Sequence, residues 1–229
     1  GLEVAASLRH HGLEVHVAAP EAAPLGRILG DEMGQWIRGL HEAAGVVFHL
    51  GCKVEGWDGR QLKLDSGTIE ADFVVIGGGV TPRTALAEAA GLKVDRGVVV
   101  DARLRTSAPD VYAVGDLARY PDAATGALIR VEHWVHAERQ GQHAARAILG
   151  DEAPFTDPPF FWSVQQGTTI NYVGHAEAFD PPTVQGSLAS ADAEVRYVHG
   201  GRTLAVATVG RDLQSLKAGL ALEAAPTPA

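Results

Sequence analysis

Cysteine is nearly missing from this chain of 229 residues, with Cys52 the single one, so no intramolecular disulfide can form and no C-x-x-C dithiol is available to carry electrons. That scarcity fits a reducing compartment, and the cytoplasm is the expected location. No uninterrupted apolar run approaches the roughly 20 residues a membrane-spanning helix needs, so no membrane partner is expected. The opening Gly1-Leu2-Glu3-Val4-Ala5-Ala6 has neither the basic region nor the apolar stretch of a signal peptide. Lys and Arg form no cluster and the formal net charge is -9, which argues against nucleic acid as a partner. The histidines show no metal-ligand spacing, so no metal is expected, and His136 and His143 read as surface or hydrogen-bonded residues. Internal repeats and low-complexity tracts are also lacking. What is present is a 46% apolar composition, enough to bury the core of one large domain or two small ones.

The apolar spacing predicts alternating strands and helices over the first two thirds of the chain. A helix is already under way at residue 1, with Val4, Ala5 and Leu8 on one face and Gly12 as its stop. A strand follows over 13–18, a helix over 30–44 and a strand over 46–48. Turn residues at Trp57-Asp58-Gly59 and Asp65-Ser66-Gly67 bracket the alternating Leu62 and Leu64, as in a small antiparallel insertion. Asp72-Phe73-Val74-Val75-Ile76 then reads as a buried strand ending in Gly77-Gly78-Gly79. A helix over 84–90, a strand over 98–100, a buried strand over 111–114 and a helix over 134–149 complete this part. The Pro-rich stretch 152–159 reads as a linker. Beyond it, strands over 170–173, 193–198 and 204–209, a Gly200-Gly201 turn and a helix over 212–222 form a different module, with a frayed tail over 224–229.

The strongest chemical signal is Thr106-Ser107-Ala108-Pro109-Asp110-Val111-Tyr112-Ala113-Val114-Gly115-Asp116. A strand that delivers Gly-Asp at its C-terminal end offers a carboxylate with little bulk beside it, suited to the hydroxyls of a polyol. Gly-Asp alone is more often just a turn; the eleven residues together say more. They resemble the second FAD motif of the pyridine nucleotide-disulfide oxidoreductase superfamily. Supporting stretches occur in that superfamily's order: P-E-A-A-P-L-G-R-I-L at 20–29, V-V-I-G-G-G-V-T-P at 74–82, V-E-H-W at 131–134 and F-F-W-S at 160–163. The chain is most similar to the ferredoxin reductase-like branch, and within it to apoptosis-inducing factor-like, Rieske-associated proteins.

This resemblance implies an α/β fold: a remnant of two Rossmann-like domains, NAD(P)-binding over 1–77 and FAD-binding over 78–153, then a smaller α+β interface or dimerisation domain over 154–229. Gly1 would match the third glycine of the NAD-domain G-x-G-x-x-G, so the chain reads as N-terminally truncated. Glu21 stands at the acidic position that accepts a ribose 2′-OH in dinucleotide folds, which favours NADH over NADPH. Arg27 matches a basic position able to neutralise a cofactor phosphate. Glu3 matches a glutamate near the nicotinamide; by itself an exposed Glu in a first helical turn merely suits the helix dipole. The backbone at Gly79 would lie against NAD. Gly115 and Asp116 would bind FAD, together with His133, Trp134 and Trp162, while Glu132 would border both cofactors. The helix beginning at Trp134 would aim its positive end at the flavin. Read alone, His133 and Trp134 suggest a helix cap and a core indole, and Phe160 and Phe161 a core pair. The superfamily branch often continues W-S-D-Q where this chain has Val164, which leaves the hydrogen bonding there open.

The implied activity is a FAD-dependent NAD(P)H reductase passing electrons to an iron–sulfur protein, such as a ferredoxin or Rieske-type protein, or to another acceptor. No side chain looks like an obligatory nucleophile or general base, so the flavin-adjacent Glu132, His133 and Trp162 are the nearest to catalytic residues. The alternative is a non-catalytic fragment or an apoptosis-inducing factor-like interaction protein; homodimerisation is compatible with either.

Overall fold

The computed structural model describes residues 1–225. Helix α1 (Leu2–His10) leads into β1 (Val15–Ala19) through Gly12, which takes a left-handed φ of 81°. Two further helices, α2 (Gly26–Leu29) and α3 (Asp31–Ala43), carry the chain to β2 (Val46–Leu50). β1 and β2 pair in parallel, Val15 opposite Val46 through Ala19 opposite Leu50, which requires a crossover of this helical kind. Ala5 of α1 seals the sheet against Val15 and Val46. β3 (Val54–Trp57), β4 (Gln61–Leu64) and β5 (Gly67–Glu70) form the expected antiparallel insertion. Its first turn is built by Asp58, whose carboxylate accepts the amides of Arg60 and Gln61. Cys52 is buried with Leu64 and Ile69 beneath it.

The middle of the chain holds α4 (Ala85–Ala89), β6 (Val98–Val99), a single 3₁₀ turn at Gly115–Leu117, β7 (Ala118–Pro121), β8 (Leu128–Ile129) and the long α5 (Trp134–Ile148). Val98, Leu104, Tyr120 and Phe155 make its core with Ala144 of α5. The last part is a five-stranded antiparallel sheet in the order β11-β12-β13-β10-β9, from β9 (Phe160–Gln165), β10 (Thr168–Gly174), β11 (Thr183–Ser187), β12 (Asp192–His199) and β13 (Arg202–Val209). α6 (Asp212–Glu223) packs on β10 and β13. Met33 and Ile37 of α3 share a core with Ile170, Tyr172, Val195 and Tyr197, so the first sheet's crossover helix also buries the last sheet. Tyr197 is fully buried, a contribution on the order of 2 kcal/mol for such a side chain. Its hydroxyl donates to the Leu29 carbonyl at 3.0 Å, satisfying the one polar atom that burial would otherwise strand.

Two expected strands are absent. Residues 72–76 pair with no strand among the described residues, and Ile76 is 88% exposed. Composition gives a segment an affinity for burial, but a strand exists only where a neighbour takes its N–H and C=O groups. Residues 111–114 likewise form only an isolated bridge, Tyr112 to Arg105. Short elements came without warning, among them α2, β7 and β8, as did β9, hidden in the aromatic run F-F-W-S, and β11, whose Thr183-Val184-Gln185-Gly186-Ser187 is a polar edge strand with little apolar alternation. Of the frayed tail expected over 224–229, residues 226–229 lie outside the described residues. No described helix is long and apolar enough to cross a membrane.

Candidate functional site

Helix α1 runs back along the strand it feeds, so its N-terminus lies at the end of the sheet where β1 and β2 finish. Gly77 arrives at the same place: a Cβ on it would stand 3.3 Å from the Gly1 Cα. No side chain caps α1, so its first N–H groups and the positive end of its dipole face the glycine loop. Gly79 has φ 85° and open space around it, a conformation that favours glycine and a surface that a ligand can approach to backbone distance. Glu21 follows β1 directly; its backbone carbonyl accepts the Gly51 amide at 3.0 Å while its side chain stays in solvent. Neither Glu21 nor Arg27 of α2 has a side-chain hydrogen bond among the described residues, and nothing holds the two together.

Glu3 is fixed by the far end of the chain. Its Oε1 accepts a hydrogen bond from Ser163 Oγ at 2.7 Å and from the Val164 amide at 3.1 Å. β9 is the edge of its sheet, and Glu3 covers one of its free N–H groups. The hydrogen bonding left open by Val164 is thereby resolved: its backbone takes the carboxylate that α1 supplies. On β9 the side chains alternate. Phe161 faces inward, stacked on Tyr172 at 5.1 Å, whereas Trp162 is 48% exposed with Phe160 beside it at 6.2 Å. The expected Phe160–Phe161 core pair is thus split, because successive residues of a strand point to opposite faces.

The second focus is the 3₁₀ turn. Gly115 has φ 73°, and a Cβ there would meet the Ala137 Cβ at 3.3 Å, so the turn packs tightly on α5. Its N–H donates to Gln140 Oε1 at 2.7 Å. The Asp116 carboxylate is exposed and makes no hydrogen bond among the described residues, while its carbonyl accepts from Arg130 Nη1 at 2.9 Å. The same nitrogen donates to Glu132 Oε1 at 2.6 Å, so Arg130 ties Asp116 to Glu132. An open cleft of about 590 Å³ lies here, lined by Val80, Thr81, Pro82, Arg83, Asp116, Leu117 and Arg130.

α5 begins beside this cleft with no side-chain cap. Burial is the main cause that lowers the His133 pKa below the usual imidazole value. The neutral ring can donate from Nδ1 to the Glu132 carbonyl at 2.9 Å, and it lies 4.6 Å from the Phe161 ring. Trp134 is 74% exposed, not a core indole, since it opens the helix on its solvent side. The reading of His136 and His143 as surface or hydrogen-bonded residues holds for one ring nitrogen of His136 and needs correction for His143. Both are buried, with His136 Nδ1 and His143 Nε2 unpartnered, because α5 turns this face onto Phe155. Tyr120 donates its hydroxyl to His136 Nε2 at 2.7 Å. Burial first, then the charges of His133, Arg139 and His175, lowers the His136 pKa to about 3.

The structure thus brings Gly1 to Gly77, Glu3 to the strand of Trp162, His133 to that strand's Phe161, and Asp116 to Glu132. Sequence reasoning missed Arg130, Gln140, Ser163 and Gln165. Ser163 and Gln165 lay inside the W-S-x-Q stretch without a role assigned to them, and Gln140 stood at helical spacing from His136 and His143 on what proves to be a buried face.

The family model described as pyridine nucleotide-disulphide oxidoreductase matches residues 1–141. The ferredoxin–NAD(+) reductase component of the anthranilate 1,2-dioxygenase system of Burkholderia cepacia is 35% identical over all of this chain and 58% of its own length. Apoptosis-inducing factor 3 of Homo sapiens is 31% identical, over 93% of this chain and 36% of its own. Among solved structures, a covalent putidaredoxin reductase–putidaredoxin complex superposes with a TM-score of 0.91 at 33% identity, covering 97% of this chain and 55% of that one. The chain spans about half the length of such relatives. With a matching family model over residues 1–141 and a relative 35% identical over all of its length, this chain belongs to the pyridine nucleotide-disulphide oxidoreductase family.

Proposed function

We propose that the chain is the nicotinamide- and flavin-handling part of an NAD(P)H-dependent flavoprotein reductase that delivers electrons to an iron–sulfur protein of the ferredoxin or Rieske type, working in the cytoplasm. The observation that carries this reading is the Glu3–Ser163–Val164 contact, which joins the helix end of a nucleotide site to the strand bearing an exposed tryptophan. The names of the relatives, reductases of ferredoxin and putidaredoxin, support the acceptor class.

The residues present suit both cofactors. The open backbone at Gly79 leaves room for a nucleotide, and the exposed Glu21 carboxylate suits a ribose 2′-OH, favouring NADH. Arg27 would offset phosphate charge. The Asp116 carboxylate, without a hydrogen-bond partner among the described residues, suits polyol hydroxyls, and Gly115 removes the bulk beside it. The uncapped N-terminus of α5 offers N–H donors and a positive dipole end to an electron-rich ring edge. A bound flavin would supply the chemistry itself, accepting a hydride from the nicotinamide and releasing electrons singly. Glu132 is held by Arg130 and His133 by the Glu132 carbonyl, so both are oriented before any ligand arrives, while Trp134 and Trp162 offer flat apolar faces that exclude water. Residues 1–77 would serve NAD(P), 78–153 the flavin, and 154–229 the aromatic cover.

The test is the visible spectrum of the chain after loading with FAD and desalting, then with NADH without oxygen. Retained flavin bands that NADH bleaches are expected. Absence of retained flavin would refute the assignment of a flavin site to these residues.

A further inference from the structure

Two fully buried polar side chains lie away from the site but lead to it. His41 of α3 is 0% exposed and Gln165 of β9 is 1% exposed, 124 positions apart in sequence. Burying such groups costs stability unless each finds partners, and here every partner is supplied in one direction. Gln166 Nε2 donates to His41 Nδ1 at 3.1 Å, which puts the ring proton on Nε2. His41 Nε2–H then donates to Gln165 Oε1 at 2.8 Å. That orients the amide so that Gln165 Nε2 donates to Ser163 Oγ at 2.7 Å, and the hydroxyl is left to donate to Glu3 Oε1 at 2.7 Å. Each donor in this chain is set by the one before it. Glu3 Oε2 takes no partner among the described residues.

We infer that His41, Gln165 and Ser163 are positioning residues that hold the Glu3 carboxylate by one oxygen and present the other to an N–H donor of the ligand, such as a carboxamide. The carboxamide assignment rests on the nicotinamide reading above; the relay itself does not. An apolar core at 41 and 165 would pack α3 on β9 as well, but it would leave Ser163 free to turn its proton elsewhere and Glu3 free to swing into solvent.

The experiment compares the full chain with Gln165→Met, which cuts the relay at similar length, and with Ser163→Ala, Ser163→Thr and Glu3→Gln. Two readouts are taken: hydrogen exchange of the Val164 amide without ligand, and NADH affinity by quenching of tryptophan fluorescence. Gln165→Met and Ser163→Ala should speed Val164 exchange and weaken NADH binding about threefold to tenfold, the effect of about one hydrogen bond, while Ser163→Thr restores both. Unchanged Val164 exchange in Ser163→Ala overturns the relay even if Gln165→Met merely unfolds. If exchange responds as expected but Glu3→Gln leaves NADH affinity unaltered, or the unaltered chain binds no NADH, the carboxamide assignment is overturned and the nicotinamide reading fails while the relay stands.

Discussion

His136 makes the stability of this fold depend on pH in a way that can be calculated. Its folded pKa of about 3 lies below the 6.5 of an exposed imidazole, because the ring is 1% exposed on the buried face of α5 with Tyr120 donating to Nε2. Between those values the unfolded chain binds a proton that the folded chain refuses. The contribution is therefore fully present above the unfolded pKa and is lost as pH falls toward the folded one. From pH 7 to 4.5 linkage gives a loss of about 2.5 kcal/mol from this residue alone, or roughly 5–10 °C in Tm for a chain of this size. Asp58 and Asp192, whose pKa values are also lowered, lose stability over acidic pH too. Comparison with His136→Gln isolates the histidine, because glutamine keeps an acceptor for Tyr120 and does not titrate. Urea unfolding followed by tryptophan fluorescence at both pH values should show the variant losing about 2 kcal/mol less than the parent. Parallel losses in the two proteins would refute the argument.

Gln140→Leu should cost about 1–3 kcal/mol, because the Gly115 amide loses its buried acceptor; chemical denaturation measures it, and FAD retention should fall as the turn loosens. In Gly79→Ala the added Cβ meets no atom within 4 Å, so only backbone strain of about 1–2 kcal/mol is expected in the melting temperature, whereas NADH affinity should drop at least tenfold.

Sequence alone determined much of this protein. Local periodicity placed α1, α3, α5 and α6 to within about a residue or two, since a helix satisfies its own backbone and needs only one apolar stripe. The T-S-A-P-D-V-Y-A-V-G-D run pointed to the family because its glycine and carboxylate must recur in order, whatever surrounds them. Tertiary structure decided what depends on neighbours. Phe73, Val75 and Ile76 look like a core strand but have no strand beside them among the described residues, and no local pattern records a missing ladder partner. The bond from Glu3 to Ser163 spans 160 positions and the bond from His41 to Gln165 spans 124. Read without the structure, these were a glutamate in a first helical turn, a helix histidine and two polar residues of the F-F-W-S run and its continuation, each ordinary by itself. Only the packing of α3 and α1 against β9 makes them one chain of hydrogen bonds, because the direction of each bond is set by the partner that burial forces on it.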